Sequence, residues 1–289
     1  MTKVGVVGLG RMGGPMSTNL ASSGFEVLLW NRSIDKANTL AEASGANVCQ
    51  TPRELAESSD VVITMLSDDA ASNAVHHGAE GLFASSAGAT YILEMGTHSP
   101  SHILELAKNS PHATVIDAPV SGSVAAAAGA QLLIMAGGTE ADIDPVRGVL
   151  DAVGRQTICL GSVGSGSRMK LVVNMLIHGL NQTVAEALVL AEASGIDIAD
   201  AYRTLENSAA AAPMLGYRKE NYLDEASTPV SFALSLARKD VELALGMAKD
   251  AGLTLSQTEM TLSELRGAEA DGLGERDMAA IITYLRGKS

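Results

Sequence analysis

The chain has 289 residues, 46% of them hydrophobic and only 3% aromatic, which is enough for two domains with cores built from Ala, Val, Leu, Ile and Met. Its formal charge of −13, from 33 acidic against 20 basic residues, argues against nucleic-acid binding and against an anionic membrane surface, so an anionic ligand must be drawn in by a local cluster of donors. No apolar run is long enough to cross a bilayer and no leader pattern precedes the first strand, which sets the expectation of a cytoplasmic protein.

The first segment, Lys3 to Val7, is a short apolar strand that runs into Gly8-Leu9-Gly10-Arg11-Met12-Gly13 and then into a helical pattern from Pro15 to Ser23. In such a turn the first glycine permits the tight bend, the second lets backbone approach a pyrophosphate, and the third lets the helix pack closely on the strand. The N–H groups at the start of the helix would hold the phosphates. A second strand, Glu26 to Trp30, follows at the distance a βαβ unit requires, and that placement turns a common glycine spacing into a candidate dinucleotide site.

The end of the second strand selects the dinucleotide. A site for NAD usually carries an acid here for the ribose 2′-hydroxyl, whereas this chain reads Asn31-Arg32-Ser33. The Arg32 guanidinium suits a 2′-phosphate, Asn31 and Ser33 would add neutral hydrogen bonds, and Asp35 lies too far along to serve as the ribose acid. The expected cofactor is NADP(H).

Further strands are predicted at Val61 to Leu66, Tyr91 to Glu94, Thr114 to Asp117, Gln131 to Ala136 and Thr157 to Leu160. Helices over Ile34 to Ser44, Pro52 to Glu57, Ala70 to His76, Pro100 to Asn109 and Glu140 to Val153 alternate with them. The class is α/β, a doubly wound parallel sheet of Rossmann type. Cys49 and Cys159 lie in strand-like segments and read as reduced, buried thiols. The six histidines show no metal spacing, and no metal is expected.

After Gly166 the pattern is helical only. A long apolar helix over Ser167 to Ser194 leads to helices at Ile198 to Asn207, Phe232 to Ala251, Thr254 to Ala270 and Asp277 to Arg286, with the tract Ala209 to Pro213 as a loop or helix end. The predicted domains are residues 1–163, a Rossmann domain, and residues 164–289, an all-α domain, joined by the long helix. Such a helix suggests packing between chains, as a homodimer or homotetramer. On it, Lys170 and Asn174 sit one turn apart. An apolar helix gains no stability from a lysine, so the pair points to chemistry that needs a desolvated proton donor beside an orienting amide. His178, a further turn along, reads as structural.

Together these segments resemble the β-hydroxyacid dehydrogenase family, and more closely its NADPH-dependent glyoxylate and succinic semialdehyde reductase branch. The resemblance rests on the glycine loop with Pro15-Met16 and Asn19-Leu20, Trp30-Asn31-Arg32-Ser33, Thr64-Met65-Leu66-Ser67, Ala118-Pro119-Val120-Ser121-Gly122-Ser123, Gly166-Ser167-Arg168-Met169-Lys170 with Asn174, and Arg238-Lys239-Asp240. It implies a cleft between the two domains in which substrate meets nicotinamide. Lys170 would be the catalytic lysine, with Asn174 holding it or the substrate. Ser121 and the backbone N–H groups of Gly122 and Ser123 would receive a substrate carboxylate. Met65, Leu66, Ser67 and Thr97 would line the nicotinamide ribose, and Phe232, Lys239 and Asp240 would face the cleft, Lys239 toward the cofactor.

The family's commoner Ser-Gly-Gly at the carboxylate loop is Ser121-Gly122-Ser123 here, a change also found in the glyoxylate and semialdehyde branch. For a second, distal acid of the substrate, Arg168, Arg218 and Arg238 are alternatives. The resulting expectation is a reductase of small aldehyde and keto acids. Its competitors are a 3-hydroxyisobutyrate-type dehydrogenase, an imine reductase, a group that usually replaces the lysine, and a non-catalytic NADP-binding scaffold module.

Overall fold

The computed structural model describes residues 1–85 and 87–288. The chain divides into two compact units, Met1–Lys170 and Leu171–Ser289.

In the first unit, strands β1 (Lys3–Val7), β2 (Glu26–Trp30), β3 (Asn47–Val48), β4 (Val61–Thr64), β5 (Tyr91–Glu94) and β6 (Thr114–Asp117) form one parallel sheet in the order β3-β2-β1-β4-β5-β6. Helices α1 (Gly13–Ser22), α2 (Ile34–Ser44), α3 (Pro52–Ser58), α4 (Asp69–His77) and α5 (Pro100–Asn109) connect them. Alternate strand residues enter two different cores: Val4, Val6, Ile63, Leu93 and Ile116 pack in one, Val7, Leu28, Val62, Ile92 and Val115 in the other. Both faces are therefore covered, as parallel strands require. The strand order reverses direction between β1 and β4, and ligands of open α/β sheets bind at the carboxyl ends of strands flanking such a point.

Two of the expected strands do not join this sheet. β7 (Val120–Ser121), β8 (Leu132–Ala136) and β9 (Gly154–Cys159) form a second sheet in which β7 and β8 are antiparallel and β8 and β9 parallel. Between β7 and β8 stands only the short helix α6 (Val124–Ala128), too little chain for the crossover that a parallel pair needs. The helix expected over Glu140 to Val153 is split into α7 (Glu140–Ile143) and α8 (Arg147–Val153) by a 3₁₀ turn at Asp144–Val146, where Pro145 removes a backbone donor. Neither cysteine is in a disulfide; Cys49 is buried, and Cys159 only half-buried. Burial pushes the Cys49 thiol up to about 11.

Helix α9 (Ser165–Ala193) begins in the first unit and continues into the second, where α10 (Ile198–Glu206), α11 (Pro213–Leu223), α12 (Leu234–Asp250), α13 (Ser256–Ala268) and α14 (Ile281–Gly287) surround a core of Leu188, Tyr202, Leu215, Leu234, Val241, Leu265 and Ile281. Helix α11 was not expected. Its buried face mixes Met214, Leu215 and Tyr222 with Arg218 and Asn221, so it carries no clean apolar stripe; Pro213 at its first position is the surviving signal. Among the described residues no helix is long and apolar enough to cross a membrane.

Candidate functional site

The glycine loop joins β1 to α1 at the point where the strand order reverses. Gly8 has φ 92°, and a Cβ there would meet the Met65 carbonyl oxygen at 2.4 Å. At Gly13 a Cβ would lie 2.0 Å from the Gly8 carbonyl oxygen, so the helix approaches the strand as closely as backbone allows. Gly10 differs from both, since nothing lies within 4 Å of the Cβ it lacks. That open face lies beside the start of α1, whose first turn holds no acidic residue, and leaves room for an anionic group there. Leu9 is buried, Met12 half-buried and Arg11 exposed.

Asn31 has a local structural role as well. Its side-chain oxygen accepts from the Leu9 N–H at 3.0 Å and its amide donates to the Ser33 carbonyl at 3.0 Å, so it braces the glycine loop against the end of β2. Arg32 and Ser33 follow on the exposed surface, Ser33 at the N-cap position of α2 without a side-chain capping bond. Met65-Leu66-Ser67 leaves β4 next to this loop, and a Cβ at Gly96, just before Thr97, would meet the Leu66 carbonyl at 2.5 Å. The loops after β1, β4 and β5 thus lie side by side.

Ser121, Gly122 and Ser123 lead from β7 into α6. The Ser123 hydroxyl is committed to capping, accepting from the Ala126 N–H at 3.2 Å. Lys170 is half-buried near the start of α9, and the anchoring of that helix explains its place. Asp117, fully buried at the end of β6, accepts from the Gly164 N–H at 2.8 Å and the Ser167 N–H at 2.7 Å. These are orphan donors of the helix N-terminus, satisfied by one carboxylate. Burial pushes the Asp117 carboxyl up to about 6 against the downward pull of those N–H groups.

In the second unit, Asn174 donates to Asp240 Oδ2 at 2.5 Å, and Lys239 Nζ lies 3.1 Å from Asp240 Oδ1. His178 Nε2 stands 3.8 Å from the same Asp240 Oδ2, and its ring lies 5.6 Å from that of Phe232. Asn174, Phe232, Lys239 and Asp240 are thus brought together, with His178 as an additional member. Two of the three candidate arginines are already neutralised: Arg218 pairs with Asp277 and donates to Ser231, and Arg238 pairs with Glu242 and Glu269. Of the three only Arg168 stands exposed.

A second polar cluster was not anticipated. Glu94, fully buried at the end of β5, lies 2.9 Å from His76 Nε2 and 3.9 Å from His98 Nε2. His98 Nδ1 in turn lies 3.2 Å from Asp69 Oδ1, and Asp69 accepts from the Ser99 N–H and hydroxyl at 3.0 and 2.6 Å. The His102 ring is 5.6 Å from that of His98. Burial lowers His76 and raises Glu94, and their mutual attraction more than reverses both. Burial would likewise raise Asp69, but bonds from His98 and Ser99 hold it at about 2; His102 is pushed down by burial. The histidines looked scattered because adjacency of β4 and β5, not sequence spacing, brings α4 to the start of α5.

Residues 3–161 match the family described as the NAD binding domain of 6-phosphogluconate dehydrogenase, and residues 164–285 the family described as the NAD-binding domain of NADP-dependent 3-hydroxyisobutyrate dehydrogenase. The chain is 32% identical to 2-(hydroxymethyl)glutarate dehydrogenase from Eubacterium barkeri, with 97% of this chain and 93% of that protein covered. It is also 32% identical to glyoxylate/succinic semialdehyde reductase 1 of Arabidopsis thaliana, over 98% of each. A crystal structure of 3-hydroxyisobutyrate dehydrogenase from Salmonella typhimurium superposes with a TM-score of 0.91 at 26% identity, covering 98% of this chain and all of that one.

Proposed function

The chain belongs to the β-hydroxyacid dehydrogenase family and is a nicotinamide-dependent oxidoreductase of 3-hydroxyacid dehydrogenase/reductase type, and from that premise we propose that it uses NADPH to reduce short aldehyde and keto acids, glyoxylate and succinic semialdehyde foremost. The observation that carries the reading is the pairing of Lys170 with Asn174 one turn apart on α9, the latter fixed by the buried Asp240. Support for a dinucleotide comes from the open cradle at Gly10 and the tight Gly8 and Gly13 on either side.

When bound, the nicotinamide supplies the hydride that adds to the carbonyl carbon. The Lys170 ammonium donates a hydrogen bond to the carbonyl oxygen and delivers its proton there as that oxygen gains charge, so hydride and proton together yield the hydroxyl. Lys170 is then reprotonated from water. Asn174 spends its amide nitrogen on Asp240, and its carbonyl oxygen is the atom left to accept a bond from the Lys170 ammonium or the substrate. Ser121 with the backbone N–H groups of Gly122 and Ser123 receives the substrate carboxylate. Arg32, at the end of β2 in place of an acid, favours the 2′-phosphate and hence NADPH.

A second reading is supported by the equal identity to 2-(hydroxymethyl)glutarate dehydrogenase: oxidation of a 3-hydroxy acid by the same residues run in reverse. Comparing kcat/KM for glyoxylate and succinic semialdehyde with NADPH and NADH, and for 3-hydroxyisobutyrate and 2-(hydroxymethyl)glutarate with NADP+ and NAD+, separates them. Faster oxidation of a 3-hydroxy acid with NAD+ than any reduction with NADPH would replace the first reading by the second.

A further inference from the structure

We propose that Asp69, His98 and His102 form a binding site for one divalent transition-metal ion of the zinc class, held between the start of α4 and the start of α5. One ligand atom from each residue lies within 4.8 Å of the others. Zinc binds imidazole nitrogen and carboxylate oxygen at about 2.0–2.1 Å, so two tetrahedral ligands stand roughly 3.3 Å apart. His98 Nδ1 and Asp69 Oδ1, at 3.2 Å, already have that separation. His102 lies in the first turn of α5, half-buried, with its ligand atom within 4.8 Å of the other two.

Two further observations point to an ion and not to a lone Asp–His hydrogen bond. His98 is 1% exposed, and its Nε2 and that of His102 are buried atoms without a hydrogen-bond partner. The other side of the His98 ring faces the buried Glu94, with Nε2 3.9 Å from Oε2. A histidine that ligates through Nδ1 turns its Nε2 toward a carboxylate, and Glu94 lies on that side of the His98 ring at ion-pair distance, beyond a direct hydrogen bond. Ser99 holds the Asp69 carboxylate in place through its N–H and hydroxyl. Two imidazoles with one carboxylate select zinc, cobalt or nickel over magnesium or calcium, and leave a fourth position for water. Asp69 follows Ser67 by two residues and His98 follows Thr97 directly, so the ion cross-links the loops after β4 and β5. This inference does not depend on the substrate or cofactor preference proposed above.

The test is a titration of the chelator-stripped full-length protein with ZnCl2 against a chromophoric chelator, together with the visible spectrum after adding Co2+. One equivalent of zinc should bind and raise Tm, and bound Co2+ should give d–d bands. His102→Ala and Asp69→Asn should weaken zinc binding roughly tenfold or more and abolish the Tm rise. His112→Ala, which removes an exposed histidine outside the cluster, should leave both unchanged. Circular dichroism of His102→Ala keeps loss of metal distinct from loss of fold. Absence of saturable zinc binding, or equal affinity in wild type and a folded His102→Ala, would overturn the proposal.

Discussion

Asn174 donates its side-chain N–H to Asp240 Oδ2 across 2.5 Å, which ties α9 to α12 one turn beyond Lys170. Asp240 is 1% exposed, so removing that donor leaves a buried carboxylate with one hydrogen bond fewer. Asn174→Ala should therefore cost roughly 1–3 kcal/mol of stability in urea denaturation. Asn174→Asp should cost more at pH 7, because it sets two carboxylates side by side, and should recover as the pH is lowered through the carboxylate range. Stability of Asn174→Ala equal to that of wild type at neutral pH would show that the bond carries no weight.

The glycine loop offers a test that separates fold from ligand. A methyl group at Gly13 would sit 2.0 Å from the Gly8 carbonyl oxygen, whereas one at Gly10 meets nothing within 4 Å. Gly13→Ala should destabilise the protein by about 1–3 kcal/mol or more through overpacking. Gly10→Ala should melt within a degree or so of wild type, by about the scale of a surface change, yet bind the dinucleotide far more weakly. Unimpaired cofactor binding by Gly10→Ala would mean that the pyrophosphate lies elsewhere.

Arg32→Asp removes the proposed partner of the 2′-phosphate and places a like charge beside it. The loss should be about 1.5–3 kcal/mol, one to two decades in NADPH affinity, with NADH gaining in relative preference. Steady-state KM values for both cofactors read it directly, and a wild-type preference for NADH would refute the assignment to Arg32.

Lys170→Met preserves the length and apolar stem of the side chain and removes its proton. Turnover should fall by roughly two orders of magnitude while NADPH binding by calorimetry stays nearly constant. A variant within a few-fold of wild type would exclude Lys170 as the proton donor.

Asp117 predicts a pH dependence of definite sign. Its carboxyl sits at about 6 in the fold against 3.8 for the free side chain, so between those values the folded state binds the extra proton. The stability it contributes is complete below about pH 4 and declines as the pH rises through 6, by on the order of 3 kcal/mol. Urea melts followed by Trp30, the single tryptophan and a residue of β2, should show wild type losing this increment relative to Asp117→Asn. Parallel pH profiles for the two proteins would rule it out.

Much of this architecture was legible because local and global signals agree. The strand at Lys3 to Val7, the glycine turn and the second strand stand where expected, and alternate residues of the parallel strands fill opposite faces of the sheet. For the strands expected after Pro119 only the sheet to which they belong was misread, since strand propensity at 131–136 and 157–160 says nothing about which sheet a strand joins; the brevity of α6 decides that. In the site, Asn174 was readable as a polar position on an apolar helix, and Lys239 and Asp240 only through the family resemblance. The bracing role of Asn31, the neutralised Arg218 and Arg238, and the Asp69, His98 and His102 cluster were not, because each depends on a partner supplied by a different segment.

The bonds that Asp117 accepts from the Gly164 and Ser167 N–H groups span 47 and 50 residues, and that separation has a consequence during synthesis. All six strands of the large sheet have left the ribosome once residue 117 emerges, before any part of the helix that carries Lys170 exists. Burying the Asp117 carboxylate without the Gly164 and Ser167 N–H groups would leave a desolvated charge with those two donors missing. The start of the helix that carries Lys170 is thus anchored to a sheet whose strands all precede it in the chain. A chain truncated between residues 118 and 163 would contain all six strands of the large sheet but neither of the N–H donors that let the Asp117 carboxylate be buried.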